Sequence, residues 1–439
     1  MYSLLKNFYK CKVLKVKLSK KRFVRNSIFS LLPTIFLRAI LCPLFLLLLV
    51  MSCKENPTDS GEPPKPPGYQ EDIPWPSLAN SPWPMYRADP QNTGRSKFAG
   101  ATLGEIFKQI DATNMQCVPV LGNDSLLYFL TSLPGSLYVY KNYDSLYWKA
   151  YVGPDTHTTS VIDNENNIYV FSEPDIKKYN SKGELVWSLG LNSGSLSSSL
   201  NIDKSSNIYL IGDDYNIKCI DKNGTLKWSI TEDRLMKNTF HSPAFSPDGS
   251  TIYLQGETVS LIALDINLKQ VKWEFGTSAL QAGPVVDSDG NIYIIPSNPG
   301  TNLLTLYSLT SNGNIKWQYP YYSKFAYNSE EPSIDKNGNI YFGFEDSLYS
   351  INYDGKLNWK TFVGYSVSTS SKILDINGNI YFTSWSNPNI NKVVAYNSNG
   401  NLLWEIPITN QYALYPPILS KDGKLIIPSF RSDFLYIVR

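Results

Sequence analysis

The stretch Asp335 to Trp359, DKNGNIYFGFEDSLYSINYDGKLNW, decides the fold. Asn339 to Phe344 is short and rich in β-branched and aromatic residues, which suits a strand and not a helix. Lys336-Asn337-Gly338-Asn339 ahead of it is turn chemistry, because Asn and Gly tolerate positive φ. Ser347 to Asn352 reads as another strand, Tyr353-Asp354-Gly355 as another turn, and Lys356 to Phe362 as a further strand. Glu331 to Asp335 supplies a strand ahead of the first turn. The unit is therefore four short antiparallel strands. Ile340, Phe342 and Phe344 point one way and Tyr341 the other, so both faces of the middle strand are apolar. A sheet with one wet face would alternate apolar and polar residues.

The unit recurs. Phe107, Trp148, Trp187, Trp228, Trp273, Trp317, Trp359 and Trp404 fall at spacings of 39 to 45 residues. A second series runs Tyr128, Tyr169, Tyr209, Tyr253, Tyr293, Tyr341, Tyr381 and Ile426. Both series have eight members, and doubly covered four-stranded sheets at this period are what propeller blades need. The first series starts before any middle strand, and the second ends with no Trp strand after it. One outer strand at the start and three inner strands at the end would complete one blade. The expected fold is an all-β, eight-bladed propeller, its ring closed by residues 103–110 pairing with the C-terminal strand near Phe434 to Val438. Closure of this kind hides exposed strand edges.

Residues 1–52 hold ten Lys or Arg and no Asp or Glu. Ala39 to Met51 is apolar, too short for a span of about 20 residues and suited to a secretory signal. Val50-Met51-Ser52-Cys53 follows and resembles a bacterial lipobox, which implies acylation at Cys53. Residues 53–80 read as a Pro-rich tether. Removing the ten leader bases from 40 leaves 30 against 38 acidic residues, a balance of −8. Nothing in that balance supports a nucleic-acid surface. Cys117 and Cys219 fall in different blades and at different repeat positions, so no bridge is expected between them.

Ser81-Pro-Trp-Pro-Met-Tyr-Arg-Ala-Asp-Pro-Gln-Asn-Thr-Gly-Arg-Ser96 resembles the phrase that opens many PQQ-like propeller proteins. Its prolines exclude helix and central strand, and it could lie as a strap over the domain. The Gly-x-Leu/Ile-x-Trp phrases, such as Gly224 to Trp228, resemble the PQQ-like repeat, in which the Trp docks one blade on the next. The resemblance runs from Trp83 to the C-terminus and implies residues 81–439 as an eight-bladed propeller. True quinone-dependent dehydrogenases of that family carry an adjacent Cys-Cys pair and calcium-holding acids. This chain has no Cys-Cys pair, so no cofactor is expected. The plan is also similar to that of the propeller lipoproteins of the outer-membrane β-barrel assembly machinery.

Asp163, Asp203, Asp287, Asp335 and Asp375 each open a turn and are read as capping it. The start of a calcium loop at Asp287 lacks the closing Glu, since Asn298 stands there. His157 and His241 each precede an inner strand, without a nucleophile elbow. Thr159, Ser199, Ser242, Gly283, Glu331 and Ser371 align at inner-strand entries, where crowding around an axis requires small residues. Glu331 is the odd member, read as a solvated channel carboxylate or a ligand contact. The connection before it, with Tyr321, Tyr322, Phe325 and Tyr327, is the candidate contact surface beside the alternative of an inter-blade plug. The expected function is a lipid-anchored, non-enzymatic binding or scaffold propeller of the bacterial envelope. It would sit at the outer membrane and engage a protein or an envelope polymer. An outer-membrane assembly factor and a quinone-dependent dehydrogenase stand as the alternatives.

Overall fold

The unit from Asp335 folds as its residues dictate. Asp335 Oδ1 accepts hydrogen bonds from the backbone N–H of Asn337 (2.8 Å) and Asn339 (2.9 Å). Its Oδ2 accepts from Asn339 Nδ2 and the Tyr341 hydroxyl, each at 2.9 Å. One carboxylate thus closes the turn and pins the next strand's tyrosine. Asp163, Asp203, Asp287 and Asp375 repeat this arrangement with Tyr169, Tyr209, Tyr293 and Tyr381. The strands are Ser333–Ile334, Ile340–Phe344, Ser347–Ile351 and Leu357–Phe362, paired antiparallel in that order.

The computed structural model describes residues 65–439, apart from 155, 192–195, 197, 238–240, 325–329, 365, 367–369, 387–389, 410–412 and 431–433. It contains eight four-stranded antiparallel blades. Blade 1 begins at Val120, and blades 2 to 7 begin at Val161, Asn201, Ala244, Val285, Ser333 and Ile373. Blade 8 closes the ring: Ile418–Leu419, Leu425–Ile427 and Phe434–Val438 are completed by the N-terminal strand Ile106–Asp111. Ile110 pairs with Leu435 and Asp111 with Phe434, the closure expected from the offset of the two repeat series.

The apolar faces meet between blades. Ile340, Phe342 and Phe344 pack against Leu304, Leu306 and Tyr321 of blade 5, whereas Tyr341 and Leu348 pack against Ile380 and Phe382 of blade 7. The core is therefore a circle of inter-blade layers. Trp residues join the layers from outside. The Trp317 ring lies on Gly355 of the next blade, where a Cβ would stand 2.6 Å from it, and Trp317 Nε1 donates to Tyr353 O at 2.9 Å. Trp148, Trp187, Trp273, Trp359 and Trp404 dock in the same way on Gly183, Gly224, Gly313, Gly400 and Gly104. These Trp residues are half-buried or only slightly exposed, because the dock lies at the rim.

Register corrects one alignment. In blade 3, Trp228 pairs with Cys219 and Leu226 with Ile220, so Lys227 is a bulge. In blade 8, Lys108 pairs with Ile437 and Ile106 with Val438, so the bulge is Phe107. The docking position of blade 8 therefore belongs to Lys108, not Phe107. The aromatic Phe107, one residue away, masks this register in the sequence. The residue in blade 1 corresponding to the receiving glycine is Asp144, and Lys108 Nζ is ion-paired with it. An ion pair thus stands where six other junctions set Trp on Gly.

Candidate functional site at the ring axis

The segment from Ser81 to Gly100 is a strap, and it supplies the axis. Its carbonyls accept hydrogen bonds from the second residue of the innermost strands of blades 1, 2 and 4 to 7. Trp83 O accepts from Leu121 N (2.7 Å), Pro84 O from Ile162 N (2.9 Å) and Pro90 O from Phe245 N (2.8 Å). Gln91 O, Thr93 O and Gly94 O do the same for Val286, Ile334 and Leu374. Proline suits these places because it accepts without needing a partner for its own nitrogen. Arg87, Ala88 and Asn92 have φ of 55°, 74° and 58°, left-handed bends within the strap. The run expected as a free tether is bonded to the ring in its described part. Gln70 N donates to Lys336 O, and Trp75 Nε1 donates to Ile202 O.

Three strap side chains bridge the blades. Asn92 Nδ2 donates to the carbonyls of Ser242 (2.8 Å) and Pro284 (3.1 Å). Arg87 donates to Pro332 O (2.7 Å), Ser333 Oγ (2.8 Å) and Lys372 O (3.4 Å). The Tyr86 hydroxyl donates to Glu331 Oε1 at 2.7 Å and lies 2.8 Å from His241 Nδ1.

The aligned inner-strand residues form a belt. Thr159 N donates to Ser199 Oγ, Ser199 N to His241 O, Gly283 N to Glu331 Oε1, and Glu331 N to Ser371 Oγ. Glu331 is fully buried, so it is not a solvated channel carboxylate. It is ion-paired with His241 and hydrogen-bonded by Ser371. A Cβ on Gly283 would stand 3.0 Å from Glu331 Oε1, so the carboxylate occupies room that only glycine leaves. Burial alone would raise the Glu331 pKa. The charge and hydrogen bond of His241, the Arg87 charge and the Ser371 hydroxyl outweigh it and hold the carboxyl well below its ordinary value. Next to it, Glu330 and Lys372 form a second buried pair. Burial pushes Glu330 up to about 7 and Lys372 down, and each charge partly restores the other.

The residues expected to form a contact surface separate. Tyr321 is buried against Phe342, Phe344 and Tyr349, so it acts as an inter-blade plug. Tyr322 is exposed. Phe325, Tyr327 and Cys53 lie outside the described residues. Cys117 and Cys219 are both free and buried, as expected. Sequence reasoning did not connect Tyr86, Arg87, Asn92 or His241 to Glu331. The available signal was the strap phrase itself, whose polar residues are too dense for a simple cover.

The comparisons fit this architecture. The family model described as outer membrane protein assembly factor BamB matches residues 135–318, which run from blade 1 into blade 5. The crystal structure of BamB from Moraxella catarrhalis superposes with a TM-score of 0.59 at 14% identity, covering 77% of this chain and 100% of that one. The quinohemoprotein alcohol dehydrogenase from Comamonas testosteroni superposes with a TM-score of 0.61 at 13% identity, covering 82% of this chain and 81% of that one. No curated protein matches the sequence. The chain has the fold of a PQQ-like β-propeller. Within that fold, this PQQ-like propeller has an axis filled by its own strap. The donors there do not fit a quinone: the Arg87 guanidinium is spent on Asn92, Pro332 and Ser333, and Glu331 on His241, Tyr86, Ser371 and Gly283. Among the described residues, no three His, Cys, Asp or Glu side chains are grouped to hold a metal ion.

Proposed function

We propose that this chain is a lipid-anchored, non-enzymatic binding propeller of the bacterial envelope, tethered through Cys53 and engaging an envelope protein. The observation that carries the non-enzymatic part is the filled axis. Tyr86, Arg87 and Asn92 tie the inner strands of blades 4 to 7 together, and the polar atoms of the central carboxylate are turned onto in-chain partners. An axis built this way is a rigid hub, and recognition falls to the outer surfaces. Calorimetric titration with pyrroloquinoline quinone and calcium tests it directly. No heat of binding and no dye-linked dehydrogenase turnover are expected, and turnover would overturn the reading.

The match of residues 135–318 to the assembly-factor model favours a second, finer reading, a role in outer-membrane protein assembly. Affinity capture from detergent-solubilised outer membranes is expected to retain a β-barrel assembly component. Its absence would count against this role but leave the scaffold reading in place. For the anchor, Cys53→Ala is expected to move the protein from the membrane pellet to the soluble fraction.

A further inference from the structure

Each outer strand carries one β-bulge, at the residue before the docking position. A bulge turns an edge away from further strand pairing and pushes its extra residue outward. Read around the ring, the bulged residues divide into two arcs. Blades 3 to 6 present Lys227, Lys272, Lys316 and Asn358. Blades 7, 8, 1 and 2 present Leu403, Phe107, Tyr147 and Val186, all large, apolar and exposed. The two aromatics are neighbours at the seam where the chain's ends close the ring, and they are 51% and 52% exposed.

The seam has the composition of a membrane-water interface. Lys424 and Arg439 lie over the Phe107 ring, each at 5.7 Å from its centroid. The nearby charges are paired, Arg439 with Glu105, Lys424 with Asp422 and Lys108 with Asp144. Aromatic rings flanked by long cationic side chains settle at the headgroup level of a bilayer. Shape selects the same occupant. The rim is convex, so a plane laid against the apolar arc meets its middle two blades first, and those are the aromatic ones.

We propose that the outer strands of blades 8 and 1 form a membrane-contacting edge that seats Phe107 and Tyr147 in the headgroup region of a phospholipid bilayer. This rests on the envelope reading above, and its test separates the two. Phe107→Cys and Asn358→Cys are each made in the full chain carrying Cys53→Ala, then labelled with a polarity-sensitive dye. Cys117 and Cys219 are buried and stay unlabelled, and Cys11 and Cys42 are changed to Ser in both proteins. Phosphatidylethanolamine–phosphatidylglycerol vesicles are added. A severalfold emission increase with a blue shift is expected at 107 and none at 358. Phe107→Ser with Tyr147→Ser is expected to weaken vesicle association roughly tenfold.

An equal response at both positions, or no response at either, overturns the proposal. So does silence to lipid together with loss of a co-purifying protein in the Ser variant, which would assign the seam to a protein partner. Failure of the chain with Cys53 intact to float with membranes sinks the anchor reading alone, because the dye response does not need the acyl chain.

Discussion

Glu331 is the residue on which the axis turns. Burial by itself would raise its pKa, but His241, Arg87 and Ser371 hold it below its ordinary value of 4.5. A carboxylate whose pKa is lower in the folded chain stabilises the fold above its unfolded pKa. That contribution is lost as pH falls through the folded value. Glu331→Gln is therefore expected to cost about 3 kcal/mol at pH 7, the cost of leaving a buried partner unpaired. The difference from the unaltered protein should shrink below pH 4.5. Urea unfolding at pH 7.5, 5 and 3.5 measures both, and a difference constant with pH would remove the carboxylate from this role. Gly283→Ala acts on the same group, since its Cβ would stand 3.0 Å from Glu331 Oε1. We expect a loss of about 1–3 kcal/mol. It should be markedly smaller in a Glu331→Ala background, which removes the oxygen the new Cβ would meet, because residues in one network do not add.

At the scale of the element, the repeat stands on one turn and one dock. Gly224 has φ +85°, and its Cβ would stand 2.7 Å from the Trp187 ring. Gly224→Ala therefore combines left-handed strain, about 1–2 kcal/mol, with displacement of the dock. A total loss of about 2–4 kcal/mol by thermal or urea unfolding is expected, and a loss under about 1 kcal/mol would show that the Trp187 contact carries little. This level of structure was legible in the sequence. Asp335, Gly338 and Gly355 act within a few residues of themselves, so local chemistry fixes them. The axis was not legible, for a physical reason. Glu331 meets His241 across 90 residues and Tyr86 across 245, and neither spacing has a period. The aligned series Thr159 to Ser371 located the belt but could not show that Glu331 turns inward into the space at Gly283. The error at Phe107 has a similar cause. An alignment follows residue type, whereas the bulge that sets the register depends on pairing with the C-terminal strand.

At the scale of the whole molecule, the junction between blades 8 and 1 is held by an ion pair. The strap ties the innermost strands of blades 1, 2 and 4 to 7, and blade 8 receives the N-terminal strand directly. At that junction, Lys108 and Asp144 stand where six other junctions set Trp on Gly. Asp144 is largely exposed, and such a pair contributes about 0.2–1 kcal/mol and is screened by salt. An aromatic dock buries far more area and is indifferent to salt. Lys108→Met is therefore expected to lower stability by no more than about 1 kcal/mol at low ionic strength and to abolish its dependence on salt at the seam. Trp317→Ala should cost about 2–4 kcal/mol at any salt concentration. Amide hydrogen exchange locates the difference. In 1 M NaCl, Ile106–Asp111 and Phe434–Val438 should exchange faster while Leu357–Phe362 is unchanged, and Lys108→Met should show the faster rates already at low salt. Uniform acceleration of all outer strands would mean that the seam is no weaker than its neighbours, and that the ion pair is a full substitute for the dock.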